Sequence, residues 1–238
     1  MANQTPILRL HGYPVSNWLN SVRAAMIEKG LGGDFVTSRA ASDDAFLAKS
    51  AMGKIPWLET PQGGLAETVA ILEYLDDVSP AQPIYPVDPF ERAKVRQIVN
   101  IAQLYIEAPM RELYPATFGG VDPLQAPVAA TMDTVQRALT GLDRLCTFAP
   151  FVRGDNLSAA DLVLFYTLEL SERVTRHLAD SSLFDGRPKL AGWDAMMRTR
   201  ASTVRVLADF APAFEDYCAQ HNAAWHEGRY QEERFSRA

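Results

Sequence analysis

The hydrophobic periodicity of the chain changes at a proline-rich stretch, and this change limits the folds open to it. Before residues 79–89, short apolar runs alternate with segments whose apolar residues recur at helical spacing. Residues 79–89 contain four prolines, which fix φ and disfavour helix in the preceding residue, so an extended linker is predicted there. Beyond it only helical spacing recurs. The pattern therefore predicts a small α/β domain over residues 1–80 and an all-helical domain over residues 88–238.

The first domain is predicted to contain the elements strand, helix, strand, helix, strand, strand and helix, in that order. These segments are residues 7–11, 18–29, 34–37, 43–50, 55–60, 64–66 and 69–75. The helical segments of the second domain are residues 90–113, 128–147, 158–179, 190–206 and 214–227.

Charge and composition exclude several classes of function. The net charge of -6 argues against nucleic acid as the main partner, because phosphate binding needs a clustered basic face. No apolar run approaches the roughly 18 residues of a membrane span, and residues 1–6 do not resemble a signal peptide. Cys146 and Cys218 are too few for a disulfide framework, which favours a reducing, cytoplasmic setting. No Cys/His cluster has metal-ligand spacing, so no metal is expected.

The loop at residues 12–17 separates the first predicted strand from the first helix. The start of a helix has unpaired backbone N–H groups and a partial positive charge, so it attracts anions. The hydroxyl of Ser16 is placed to donate a hydrogen bond to such an anion. Alternatively, Ser16 or Asn17 only caps the helix.

A second feature is the proline at the head of a predicted strand, Pro56. A proline there removes a donor from the sheet, and a cis Ile55–Pro56 bond is predicted, which would aim the backbone groups of Ile55 outward. Those groups would then pair with an extended, peptide-like ligand.

A third feature is the pair Glu67 and Thr68, directly before the apolar segment 69–75. The N–H and hydroxyl of Thr68 at a helix start suit a carboxylate, and Glu67 suits an ammonium group. Alternatively, the pair is a plain helix start with a favourably placed acidic residue.

In this order, and followed by a helical domain, these features resemble the glutathione S-transferase family. The loop, the run Gly53-Lys54-Ile55-Pro56 and the run from Glu67 to Leu75 resemble its thioredoxin-like domain. The last run is close to the family pattern E-S-x-A-I-x-x-Y-L, with Thr68 in place of serine. Residues 154–161 resemble the family's buried helix start, and their own spacing predicts a structural capping box between Ser158 and Asp161.

The resemblance implies a βαβαββα thioredoxin-like domain that binds glutathione as cosubstrate, without a metal. It is closest to the serine-using zeta, theta and delta classes, which makes Ser16 the catalytic residue, a donor to sulfur; Tyr13 is the rival. The implied glutathione-binding residues are Ser16, Lys54, Ile55, Pro56, Glu67 and Thr68. For Lys54, the alternative is a solvated surface lysine.

The electrophile is expected between Ser16 and the first helix of the second domain. The candidate residues on that side are Tyr13, Tyr105, Glu107, Met110 and Arg111. Arg111 either recognises an acidic substrate or pairs with Glu107 four residues earlier.

Three functions remain open: addition of glutathione thiolate to a small electrophile, a glutathione-dependent isomerisation or dehalogenation like that of maleylacetoacetate isomerase, and non-catalytic binding. The resemblance also implies a homodimer and a role in detoxification.

Overall fold

The structure is a computed structural model that describes residues 8–123, 126–223, 225 and 230. Its four strands form one mixed sheet in the order β2-β1-β3-β4. They are β1 (Arg9–Gly12), β2 (Asp34–Thr37), β3 (Trp57–Thr60) and β4 (Gly63–Ala66). Strands β1 and β2 are parallel, whereas β3 is antiparallel to both β1 and β4.

Three helices complete this part of the chain: α1 (Asn17–Glu28), α2 (Asp44–Leu47) and α3 (Thr68–Val78). The order βαβαββα is the predicted one. The core forms because Leu10 and Leu58, paired across β1 and β3, are buried together with the apolar faces of α1 and α3. The first predicted strand begins at residue 7, which lies outside the described residues.

The described residues beyond β4 form helices and no further strand. After α4 (Pro89–Ile101) come a π-helix (Ala102–Glu107), α5 (Ala108–Arg111) and α6 (Tyr114–Phe118). The helices that follow are α7 (Val128–Leu145), α8 (Ala159–Ala179), α9 (Pro188–Thr199) and α10 (Ala201–Gln220). Helix α8 is buried on nearly all sides over its first 17 residues, 159–175, and is the centre of the helical part. None of the helices in the described ranges is both long and apolar enough to cross a membrane.

The predicted segments 190–206 and 214–227 are wrong in their limits. The first is interrupted at Arg200, whose extended backbone separates α9 from α10. Helix α10 then runs without a break through Pro212, because buried Phe210 and Phe214 on either side hold it against the core. Residues 224 and 226–227 of the second segment lie outside the described residues.

The predicted capping box at the start of α8 is confirmed. The N–H of Ser158 donates to Asp161 Oδ2 at 2.9 Å. The other carboxylate oxygen accepts from the N–H of Val152 at 2.7 Å and from the indole of Trp193 at 3.0 Å. Burial raises the pKa of Asp161, against the effect of these hydrogen bonds. The residue is fully buried and its contacts are structural.

Helix α1 joins the sheet to the helical part, since it packs against α3 as well as against α8 and α10. The carboxylate of Glu28, the last residue of α1, accepts hydrogen bonds from Nε and Nη2 of Arg200 at 2.9 and 2.6 Å. The hydroxyl of Ser202 donates to the same carboxylate. This contact fixes the end of α1 against the junction of α9 and α10.

The pH dependence of this contact is predictable. Burial alone would raise the pKa of Glu28, but the hydrogen bonds from Arg200 and Ser202 outweigh it and the pKa is lowered. Its stabilisation is therefore present above the ordinary glutamate pKa, about 4.3, and is lost as pH falls through the lower folded value. We expect Glu28→Gln to reduce the free energy of unfolding by about 1–3 kcal/mol at pH 7.

Denaturant unfolding at pH 7 and near pH 3 measures this effect, and the difference from wild type should shrink in acid. The matched control is Glu215→Gln, because Glu215 is exposed on α10 and should change stability by less than about 0.5 kcal/mol. A difference for Glu28→Gln that is the same at both pH values would contradict the prediction.

Candidate active site

A cavity of about 800 Å³ lies between the sheet-containing part and the helical part. All the predicted glutathione-binding residues line it, namely Ser16, Lys54, Ile55, Pro56, Glu67 and Thr68. They come from three separate segments: the start of α1, the loop before β3 and the start of α3. The fold therefore brings together the three features that the sequence singled out.

Ser16 occupies the N-cap position of α1, directly beside the cavity. Its Oγ accepts a hydrogen bond from the N–H of Leu19 at 3.3 Å. A hydroxyl that accepts still has its own proton to donate. Capping and donation to a ligand are thus compatible at this residue, although the sequence had presented them as alternatives.

Tyr13 lines the same cavity, but its hydroxyl has another partner. It donates to the carbonyl of Ala213 on α10 at 3.3 Å. The guanidinium carbon of Arg39 lies 3.4 Å from the centre of the Tyr13 ring. The proton of Tyr13 is therefore used in holding α10, which favours Ser16 as the donor to a ligand.

The loop before β3 has the cis Ile55–Pro56 bond that the sequence predicts. Buried Ser50 holds the preceding residue in place: its hydroxyl donates to the Lys54 carbonyl at 2.8 Å and accepts from the Lys54 N–H at 3.2 Å. Gly53 has φ +64, and a Cβ there would lie 2.5 Å from the Ala41 carbonyl oxygen. Only glycine fits this turn without strain.

The backbone at the start of α3 has a strained conformation beside the cavity. Glu67 has φ 70, which is unfavourable for a residue with a side chain. Such conformations persist only where the surrounding structure enforces them. Thr68, the first residue of α3, is buried, and its Oγ1 lies 3.5 Å from the Trp18 carbonyl. Glu67 and the free N–H groups of the first turn of α3 thus meet at the cavity.

Only some of the residues predicted on the substrate side line the cavity. Tyr13 and Arg111 line the cavity, whereas Tyr105, Glu107 and Met110 do not. Tyr105 is half-exposed elsewhere and Met110 is buried in the core. The physical reason is the π-helix at residues 102–107, which contains Tyr105 and Glu107 and precedes Met110, so the side chains do not follow the α-helical spacing assumed from the sequence.

Glu107 is buried and satisfied behind the cavity wall. Its Oε2 accepts from the amide of Asn17 at 2.8 Å and from the hydroxyl of Tyr114 at 3.0 Å. Its Oε1 accepts from the guanidinium of Arg111, which is the pairing that the sequence allowed. Burial, with a further contribution from the negative charge of Glu107, holds the pKa of Tyr114 well above its ordinary value, so Tyr114 remains a donor.

Sequence reasoning missed several cavity residues. Arg39 follows β2 by two residues, and β2 runs parallel to β1, so the loops after both strands lie at one edge of the sheet. That signal was available in the strand prediction. The aromatic wall formed by Tyr114, Phe118, Phe214 and Tyr217 was not foreseeable, because these residues come from α6 and α10, which are far apart in the chain.

The electrostatics of the described lining residues favour an anionic ligand. Arg39, Lys54 and Arg111 are cations there, and Glu67 is the single carboxylate. The cysteines are not part of this chemistry: Cys146 and Cys218 are buried away from the cavity, and burial raises the pKa of Cys146 to about 12. No cluster of three or more potential metal ligands occurs in the described part of the chain.

Comparison with known proteins agrees with this geometry. Residues 10–83 match the family described as glutathione S-transferase, N-terminal domain, and residues 125–193 match its C-terminal domain. A glutathione S-transferase of Pseudomonas putida is 36% identical over 205 residues, which cover 85% of this chain and 92% of that protein. The chain belongs to the glutathione S-transferase family.

A further relative and a solved structure extend the comparison. A probable maleylacetoacetate isomerase of Drosophila melanogaster is 28% identical over 164 residues, 65% of each protein. The crystal structure of a rice glutathione transferase in complex with glutathione has a TM-score of 0.74 at 22% identity and covers 92% of this chain and 98% of its own. At that identity the likeness shows the fold, a thioredoxin-like domain followed by a helical one.

Proposed function

We propose that the protein is a glutathione transferase that adds the thiolate of glutathione to a small electrophilic substrate. The observation that carries the proposal is the meeting of Ser16, the Ile55–Pro56 loop and the Glu67–Thr68 helix start at one cavity. Ser16 supplies a hydroxyl donor, and Ile55 supplies backbone N–H and C=O groups. Glu67 and Thr68 supply partners for the ammonium and carboxylate groups of an amino acid. Together they match the parts of a tripeptide thiol.

In the proposed complex each part of glutathione has a partner. Glu67 and Thr68 hold the γ-glutamyl ammonium and carboxylate, and the backbone of Ile55 pairs with the cysteinyl residue. Lys54 and Arg39 are the cations available for the glycyl carboxylate. Because these contacts hold both ends, the sulfur is directed to the start of α1.

Ser16 then activates the sulfur without becoming a nucleophile. A free thiol has a pKa of about 8.5, so little of it is thiolate at pH 7. The Ser16 hydroxyl and the unpaired N–H groups at the start of α1 both stabilise the anion, which lowers that pKa. The thiolate forms a carbon–sulfur bond, and in a substitution the leaving group departs with the bonding electron pair.

A panel of electrophiles assayed with glutathione tests the proposal. It begins with an activated aryl halide and a cis-olefinic diacid. Formation of the aryl conjugate above the uncatalysed rate would support the transferase. Binding of glutathione without turnover of any electrophile would instead support a non-catalytic binding protein.

A second function is favoured by the isomerase relative and by Arg111 in the cavity. In a glutathione-dependent isomerisation or dehalogenation the same thiolate adds and is later expelled. The cis-olefinic diacid distinguishes the two: isomerisation produces the trans acid and consumes no glutathione, whereas conjugation consumes one glutathione for each acid.

Replacing Glu67 by glutamine should weaken glutathione binding about tenfold, since it removes the charge that faces the γ-glutamyl ammonium. Titration calorimetry at pH 7 measures this change. Glu73→Gln is the matched control, because Glu73 lies on α3, the helix that Glu67 precedes, but pairs with Arg96 outside the cavity. Equal affinities for wild type and Glu67→Gln would remove Glu67 from the site.

We also propose a cytoplasmic homodimer with a role in detoxification, in which the domains span residues 1–80 and 88–238. In the family the small domain of one subunit packs on the helical domain of the other around a two-fold axis. Light scattering should give about twice the 26.3 kDa of one chain.

A further inference from the structure

The described residues that the helical part contributes to the cavity wall are mainly uncharged, and the aromatic ones are Tyr114, Phe118, Phe214 and Tyr217. Among the described residues of that wall, Arg111 is the only one with a formal charge. Its side chain is 53% exposed, although the carboxylate that it pairs with is only 2% exposed. The positive charge therefore faces the cavity while the negative charge lies behind the wall.

Glu107 fixes the position of this guanidinium. Both of its carboxylate oxygens are occupied, Oε1 by Arg111 and Oε2 by Asn17 and Tyr114. Glu107 is therefore unavailable to a ligand in the cavity. Arginine has five N–H donors and stays protonated, so donors beyond the one bonded to Glu107 remain for a second anion.

The same carboxylate places Arg111 close to the proposed reaction centre. Asn17 follows Ser16 directly at the start of α1, and its amide donates to Glu107 at 2.8 Å. One carboxylate group thus separates the guanidinium of Arg111 from the turn that holds the sulfur in the proposed function. A substrate anion on Arg111 and an electrophilic carbon at Ser16 fit within one small molecule.

We propose that the electrophile is an aromatic or conjugated carboxylate, and that Arg111 is the residue that selects it. The flat body of the substrate packs on the aromatic wall of Tyr114, Phe118, Phe214 and Tyr217. The carboxylate accepts hydrogen bonds from Arg111, which directs the reactive carbon towards the thiolate. This inference rests on the proposed transferase function and adds the class of substrate.

A matched pair of aryl chlorides tests the inference: 4-chloro-3-nitrobenzoate and 4-chloro-3-nitrobenzamide. In both, the thiolate attacks the carbon that bears chlorine, the carbon–sulfur bond forms, and chloride leaves with the electron pair. Each kcat/KM is divided by the uncatalysed rate constant with glutathione, which removes the difference in intrinsic reactivity. The wild-type ratio of acid to amide should be about 10 to 100, because only the acid carries a negative charge that pairs with the guanidinium of Arg111.

Three variants test whether Arg111 causes the preference for the acid over the amide. Arg111→Gln should bring the ratio close to one, and Arg111→Lys should keep part of it. Arg205→Gln makes the same change of charge on the exposed surface of α10 outside the cavity, and it should leave the ratio unchanged. Because the ratio compares two substrates of one preparation, it does not depend on the fraction of a variant that folds.

Inhibition of the wild-type protein supplies a measurement without a variant. 3-Nitrobenzoate should compete with the electrophile at least tenfold more strongly than 3-nitrobenzamide. A wild-type ratio near one would overturn the inference, and so would an Arg111→Gln ratio as high as that of wild type. In either case, conjugation of the amide would still support the proposed transferase function. Failure of the wild type to turn over either chloride would overturn the inference alone if another electrophile of the panel is conjugated, and would overturn both proposals if none is.

Discussion

Replacing Ser16 by alanine should raise the pKa of the thiol of bound glutathione and slow turnover at pH 7 roughly ten- to a hundredfold. A hydrogen bond to a charged group contributes about 1.5–3 kcal/mol, which converts to a rate loss of that size. Affinity for glutathione should change less, because the two ends of the tripeptide are held by other residues. The defect should shrink as pH rises towards the free-thiol pKa of about 8.5, where thiolate forms without help.

The decisive measurement is the ultraviolet thiolate absorbance of bound glutathione against pH. Tyr13→Phe is the control, because the Tyr13 hydroxyl donates to the Ala213 carbonyl and should not affect the titration. If Tyr13→Phe moves the titration and Ser16→Ala does not, the two roles are reversed. If neither moves it, Ser16 is only the helix cap and another group, such as the helix start or Asn17, activates the sulfur.

Replacing Asp161 by alanine should reduce the free energy of unfolding by about 3–5 kcal/mol without a direct effect on the cavity. The carboxylate is the shared acceptor of the N–H groups of Val152 and Ser158 and of the Trp193 indole. All three residues are buried, so the change leaves buried donors without a partner, at about 1–3 kcal/mol each. Urea unfolding followed by the fluorescence of Trp193 and the other tryptophans measures the loss.

The matched control is Asp155→Ala, because Asp155 is exposed in the loop just before α8, and this change should alter stability by less than about 0.5 kcal/mol. A loss below about 1 kcal/mol for Asp161→Ala would mean that these donors find other partners. Since Asp161 does not line the cavity, folded Asp161→Ala protein should retain the affinity of wild type for glutathione.

Features set by neighbouring residues could be predicted from the sequence. The element order βαβαββα and the change to helices follow from hydrophobic spacing and from the prolines of residues 79–89. The capping box of Ser158 and Asp161 is a contact across three residues, and the N-cap position of Ser16 also depends on the adjacent helix. The same reasoning identified Ser16, Ile55 and Glu67–Thr68 as candidates, because each stands at the start of an element.

The substrate side of the cavity was decided by tertiary packing. Tyr105 and Met110 do not line the cavity, and no local spacing signals the π-helix that contains Tyr105 and precedes Met110. The partner of the Tyr13 hydroxyl is 200 residues away on α10, and Asn17 meets Glu107 across 90 residues. Local hydrogen bonding and periodicity determine which elements form and how they begin. Which side chains face one another across the cavity depends on tertiary packing, including that of α1 against α8 and α10.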